Sequence, residues 1–124
     1  MNYLEEEVMR ELKRLSEKSL EVIPAIRITD QESKYEIIAE IPGVLKKDVD
    51  LTYEKDVLTL STNLQEIKGE KEAVYNELKP IRYKRTIPLN GVDIKKTAAT
   101  LKNGMLMISL PKLENHKAQK ITVN

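Results

Sequence analysis

The chain contains no cysteine, no tryptophan and no phenylalanine in 124 residues. Without cysteine there is no disulfide, no thiolate metal site and no thiol nucleophile, and the composition agrees with a reducing interior. Without phenylalanine or tryptophan, five tyrosines carry all the aromatic area, so the core must be built from Ile, Leu and Val. The single histidine, His116, lies near the end of the chain with no neighbour in sequence to orient it. The commonest zinc sites and the cysteine-based triads are therefore excluded. The four glycines are isolated beside turn-like residues and form no phosphate-binding pattern. An excess of charge is missing too: 21 basic residues face 20 acidic ones, a formal net charge of +1. That balance leaves no electrostatic footprint for nucleic acid and no acidic tail. The best basic candidate, "IRYKR", alternates with apolar residues as a strand with one wet face does. No apolar run approaches the ~20 residues of a membrane helix. The acidic, amphipathic start is unlike a secretory signal. These absences lead us to expect a soluble, cytoplasmic chain of one domain with no metal and no cofactor. Carboxylates are plentiful, but they alternate with apolar residues or sit in charged faces, and no converging catalytic set is visible.

What is present divides by period. Over about 2–20, Leu4, Val8, Leu12 and Leu15 fall at helical spacing, with Glu, Lys and Arg between them. Pro24 ends this segment, because the residue before a proline is pushed away from helical angles. A helix this short is marginal alone. Its narrow stripe is expected to pack on its own domain, a partner copy or a client.

From Ala25 onward the period is two. Ile26 and Ile28 alternate with polar residues; Tyr35, Ile37, Ala39 and Ile41 follow, then Val49, Leu51 and Tyr53, and then Leu58 and Leu60. The pattern resumes with Ile81, Tyr83, Arg85, Ile87 and Leu89 on one face. Ala99 and Leu101 mark a short strand, and Leu106, Ile108 and Leu110 the last one, which Pro111 stops. Asn103-Gly104 between two alternating segments is a strong hairpin signal. Many short strands with frequent turns, and no helical period between them, predict an all-β antiparallel sandwich.

Two segments do not fit a simple sandwich. Residues 63–80 form a long polar connection in which Val74, Tyr75 and Leu78 stand out, and loops of such length are usually functional or disordered. The residues alone leave open whether this is a surface excursion or an arm pairing near 73–78 with a second subunit. The chain then closes on "HKAQKITVN", where Ile121 and Val123 are spaced to point the same way in a polar tail. A solvated terminus has no use for that pair, so the tail is expected to dock on another subunit.

Together these residues resemble the small heat-shock protein, or alpha-crystallin, family. "AATLKNGMLMISLPK" is similar to the family's signature through Ala99, Asn103, Gly104 and Leu106, and runs on to Pro111-Lys112. "YEIIAEIPGVLKKDVDLTYEKDVLTLS" and "RYKRTIPL" resemble its central strands, and Ile121-Thr122-Val123 its tail motif. The chain departs from the family in Pro88-Leu89, in Tyr83 where Phe is frequent, and in an N-terminal arm without Phe.

The resemblance implies an immunoglobulin-like sandwich, the alpha-crystallin domain, over 24–112. A helical N-terminal arm over 1–23 would precede it and an extended tail over 113–124 would follow. It implies a non-enzymatic, ATP-independent holdase that builds dimers and larger homo-oligomers and binds non-native clients, with no nucleic acid and no membrane span. In that frame Ile121 and Val123 would enter a groove formed by Val49, Leu51 and Tyr53 with Leu106, Ile108 and Leu110. Val74, Tyr75 and Leu78 would form a strand-exchange arm, with Arg85 at or near the dimer contact. Leu4, Val8, Leu12 and Leu15 would meet clients. The rival readings are a CS-type adaptor for a dedicated chaperone, a hydrolase using buried carboxylates, and a carbohydrate-binding module. Scattered tyrosines disfavour the last.

Overall fold

The computed structural model of the chain describes residues 2–16, 20–65, 69, 71–116 and 121–124, and the side chains of all these except 12–16. Strict alternation, the period of an extended chain, yields eight strands. They are β1 (Leu20–Val22), β2 (Ile26–Asp30), β3 (Lys34–Glu40), β4 (Val49–Glu54), β5 (Val57–Thr62), β6 (Ile81–Pro88), β7 (Ala98–Lys102) and β8 (Met105–Pro111). Two four-stranded sheets result, ordered β1-β6-β5-β4 and β2-β3-β8-β7. Every pairing is antiparallel except that of β1 with β6. The buried core joins Leu58, Leu60, Tyr83 and Ile87 from the first sheet to Ile37, Ala39, Leu106, Ile108 and Leu110 from the second. These are the residues that alternation assigned to inward faces, and the architecture is the anticipated β-sandwich.

The hairpins follow from turn chemistry. Lys55 and Asp56 join β4 to β5 with φ of 51° and 61°, and Asn103 and Gly104 join β7 to β8 with φ of 52° and 74°. Two consecutive left-handed residues match the right-handed twist of the flanking strands. Gly104 is needed for space as well as for φ, since a Cβ there would lie 3.1 Å from Pro42 Cα. The Ile41 N–H donates to the Gly104 carbonyl at 2.8 Å and ties this hairpin to the end of β3.

Helix α1 covers Tyr3–Ser16. Asn2 caps it reciprocally: its Oδ1 accepts from the Glu5 N–H at 2.8 Å, and its own N–H donates to Glu5 Oε2 at 3.3 Å. The helix was expected to run to Leu20. Residues 17–19 lie outside the described part, and Leu20–Val22 is strand β1, paired in parallel with Ile81, Arg82 and Tyr83. The boundary expected at 23/24 is thereby corrected, because three residues are too few to display a period and their partner lies about sixty positions away. Among the described residues no helix is long and apolar enough to cross a membrane. The base of the long connection is closed by an isolated bridge between Gln65 and Ile81. Residues 71–80 form no regular element, and 66–68 and 70 lie outside the described part.

Candidate functional site

The sandwich has two open sides, and connectivity decides which strands share each one. β1 passes into β2 through residues 23–25, so those two edges lie together, and β4 and β7 form the edges of the opposite side. β4 alternates cleanly: Val49, Leu51 and Tyr53 are half-buried against the core, while Asp50, Thr52 and Glu54 face solvent. Leu101 of β7 is also half-buried against the core.

The expectation that β8 forms the second wall of this groove is corrected. β8 lies between β3 and β7, and Leu106, Ile108 and Leu110 are 3%, 2% and 0% exposed. Of the two strands in the Asn103-Gly104 hairpin, β8 carries the fuller apolar row, and burial places that row inside its sheet. The edge falls to β7, whose residues are mostly exposed. Alternation reveals which residues face inward but not whether a strand is central.

The hydroxyl of Tyr53, at the end of β4, ties that strand to the loop after β6. It donates to the Leu89 carbonyl at 2.5 Å, with Asp56 Oδ1 3.1 Å away as a second acceptor. It accepts from the Val92 N–H at 3.4 Å. Burial raises its pKa above the ordinary tyrosine value; the Val92 N–H draws it back in part, and the Asp56 carboxylate adds to the rise.

Ile121 and Val123 are 85% and 90% exposed. The tail leaves the body later than the expected 113. Val92 pairs with Lys112, the Leu113 N–H donates to the Gly91 carbonyl at 2.7 Å, and Glu114–His116 forms a short 3-10 turn. Lys112 itself is a clip that sequence reasoning missed. Its Nζ lies 2.6 Å from Asp30 Oδ1, 2.7 Å from the Gln31 carbonyl and 4.7 Å from the centre of the Tyr35 ring. Partners some eighty positions away leave no local signal.

In the arm, Val74, Tyr75 and Leu78 are all exposed, and the Tyr75 hydroxyl donates to the Glu77 carboxylate. Arg85 lies on the inward side of β6, half-buried, and its Nη1 donates to the Pro24 carbonyl at 2.9 Å. Within one chain it therefore braces the link between β1 and β2. On α1, Leu4 and Val8 are exposed, as are Tyr3 and Met9. The side chains of Leu12 and Leu15 lie outside the described part. Thr62 is the buried polar residue among those described, and no described carboxylate is buried.

The Hsp20/alpha crystallin family model matches residues 27–124. Small heat shock protein C4 of Rickettsia felis is 32% identical over 104 residues, covering 82% of this chain and 64% of that protein. A probable 15 kDa heat shock protein of Leptospira interrogans is 38% identical over 92 residues, 72% of this chain and 69% of its own. The chain thus spans about two thirds of the length of these relatives. Among solved structures, heat shock protein 16.0 from Schizosaccharomyces pombe superposes with a TM-score of 0.64 at 26% identity, covering 83% of this chain and 98% of that one. A point mutant of hsp14.1 from Sulfolobus shares the fold, with a TM-score of 0.63 at 19% identity over 100% of this chain and 98% of that one.

Proposed function

The chain belongs to the Hsp20/alpha crystallin family, and from that premise we propose that it is an ATP-independent holdase of the cytoplasm, assembled from dimers that C-terminal tails link into larger particles. The observation that carries this reading is the near-complete exposure of Ile121 and Val123 in a chain whose β4 edge keeps a half-buried apolar row. In an extended strand those two side chains point the same way, at the spacing of Val49, Leu51 and Tyr53. An edge strand also offers unpaired N–H and C=O groups to which a tail can add as one more strand. The docking groove is thus the β4–β7 side, with Leu101 as its second wall and Leu106 and Ile108 one strand deeper.

Burying each tail side chain contributes ~1.5–3 kcal/mol. Ordering each of residues 121–123 costs ~1–2 kcal/mol. The two nearly cancel, and each edge hydrogen bond adds a net ~0.5–1.5 kcal/mol. One tail therefore binds weakly, and many tails hold a particle together through effective concentration.

The arm's Val74, Tyr75 and Leu78 make the dimer by pairing with an open edge of a second copy, for which β2 is available. Leu4 and Val8, exposed on α1, meet unfolding clients through apolar area without sequence readout, and Leu12 and Leu15 continue their spacing in the sequence. No nucleotide is required, because the chaperone competes with aggregation by mass action.

Light scattering on the intact chain and on one ending at Lys120, with aggregation of a heat-unfolded client followed alongside, tests the reading. Loss of residues 121–124 is expected to reduce the large particle toward dimers. A large particle of unchanged size would end the docking mechanism, and an intact chain that leaves client aggregation unslowed would end the holdase reading.

A further inference from the structure

We propose that Gly91 and His116 form a latch that sets the root of the tail at His116 and not at the end of β8. The consequence for assembly rests on the tail-docking reading above, whereas the latch itself is a property of the single chain. Gly91 follows Asn90 in the turn after β6; it is buried and has φ of +66°. A Cβ built on it would fall against Cγ of His116 and 2.5 Å from both Cδ2 and Nδ1. The imidazole ring therefore occupies the space a side chain at 91 would fill. Glycine serves here through both its left-handed φ and its missing Cβ.

Hydrogen bonds frame the contact. On either side of the Val92–Lys112 bridge, the Leu113 N–H donates to the Gly91 carbonyl at 2.7 Å and the Asp93 N–H to the Pro111 carbonyl at 2.8 Å. The His116 N–H returns to the Leu113 carbonyl at 2.9 Å and closes the turn that lays the ring on Gly91. The loop is itself pinned from β4 by the Tyr53 hydroxyl. The root of the tail and the end of the groove strand thus share one short piece of backbone.

Reach follows from chain length. From His116 to Ile121 there are five Cα steps, at most ~17 Å, against ~34 Å from Pro111 if the root were loose. Halving the radius reduces the volume the motif can search about eightfold and raises its effective concentration at a neighbour within range. A neighbour whose groove lies beyond that radius is excluded. The latch is therefore a positioning device: it selects which subunits a tail can join.

The test uses the full chain and its variants His116→Ala, His116→Phe and Gly91→Ala, together with the double variant Gly91→Ala/His116→Ala. Hydrogen-exchange protection at the Leu113 amide reports the root, and the particle-size distribution reports where tails go. In His116→Ala the Leu113 amide is expected to lose roughly tenfold in protection, and the distribution to broaden. His116→Phe keeps a flat ring and is expected to restore both. Gly91→Ala drives the ring out and should match the double variant at Leu113. Unchanged Leu113 protection in His116→Ala overturns the latch, and lost protection with an unchanged distribution overturns its role in selecting neighbours. If the chain ending at Lys120 keeps its large particle, the docking reading falls instead, and exchange at Leu113 alone decides the latch.

Discussion

Replacing Tyr53 with phenylalanine removes one oxygen and little else. The ring keeps its half-buried place against the core, so no cavity opens. What disappears is the donor to the Leu89 carbonyl at 2.5 Å and the acceptor for the Val92 N–H at 3.4 Å. A neutral hydrogen bond contributes a net ~0.5–1.5 kcal/mol, and leaving a part-buried carbonyl without its donor moves the cost toward the upper end. The short bond dominates, because the long one is near the limit of useful geometry. Tyr53→Phe should therefore cost about 1–2 kcal/mol, and for a domain of this size the midpoint should fall by roughly 3–10 °C. Thermal scans by circular dichroism check this at equal protein concentrations, because association makes the midpoint concentration-dependent. The pH dependence supplies a second arm. The folded hydroxyl has a raised pKa, chiefly through burial, so folding favours its neutral form. That contribution is whole below the unfolded value of about 10 and is lost as pH rises through the folded value. The gap between the two proteins should be constant from neutral pH to about 10 and close above it. A midpoint difference below about 1 °C at pH 7, or a gap that persists into strong alkali, would refute the role assigned to this hydroxyl.

Thr62 Oγ1 accepts the buried Tyr83 N–H at 2.9 Å where the β5–β6 ladder ends. Thr62→Val keeps the shape and orphans the donor, so the urea midpoint should drop by the equivalent of ~1–3 kcal/mol with an unchanged m-value. Gly104→Ala places a Cβ at φ +74° and 3.1 Å from Pro42 Cα, and a thermal scan should register a loss of at least ~1–2 kcal/mol. Val74→Asp with Leu78→Asp alters side chains that are exposed in the single chain; fold stability should move by no more than ~0.5 kcal/mol. Sedimentation should nevertheless show the dimer dissociating, and an intact dimer would remove the arm from the mechanism.

The strands from β2 onward were readable in the sequence because apolar residues recur at period two in each. Ile37, Ala39 and Ile41 are an example, as are Leu106, Ile108 and Leu110. Asn103-Gly104 was readable because the turn it makes demands left-handed φ. β1 was not, since Leu20–Val22 owes its conformation to pairing with Ile81–Tyr83 and not to any period of its own. For the proposed groove, alternation showed that Val49, Leu51 and Tyr53 face inward but not that β8 is a central strand, because edge and centre differ in pairing and not in pattern. The polar residues 113–116 looked like tail. Their attachment depends on a glycine more than twenty positions earlier, and no window along the chain brings the two together.

The sandwich closes on its own aliphatic rows and leaves Leu4, Val8, Val74, Tyr75, Leu78, Ile121 and Val123 exposed. These residues lie outside the strands, on a helix, an arm and a tail. That division lets the proposed assembly respond to heat without unfolding. A tail held by two aliphatic side chains has little net binding energy to lose, since ~1.5–3 kcal/mol of burial per side chain meets ~1–2 kcal/mol of ordering per residue. The sandwich is held by a whole core and by specific ties such as Tyr53 to Leu89 and Lys112 to Asp30. In the proposed assembly, warming is therefore expected to free tails while the strands remain paired, so that the proposed groove and arm become available while the domain stays intact. With the root fixed as proposed, that release is expected to be reversible, because a tail that lets go would stay within reach of the same neighbours and could reseat on cooling.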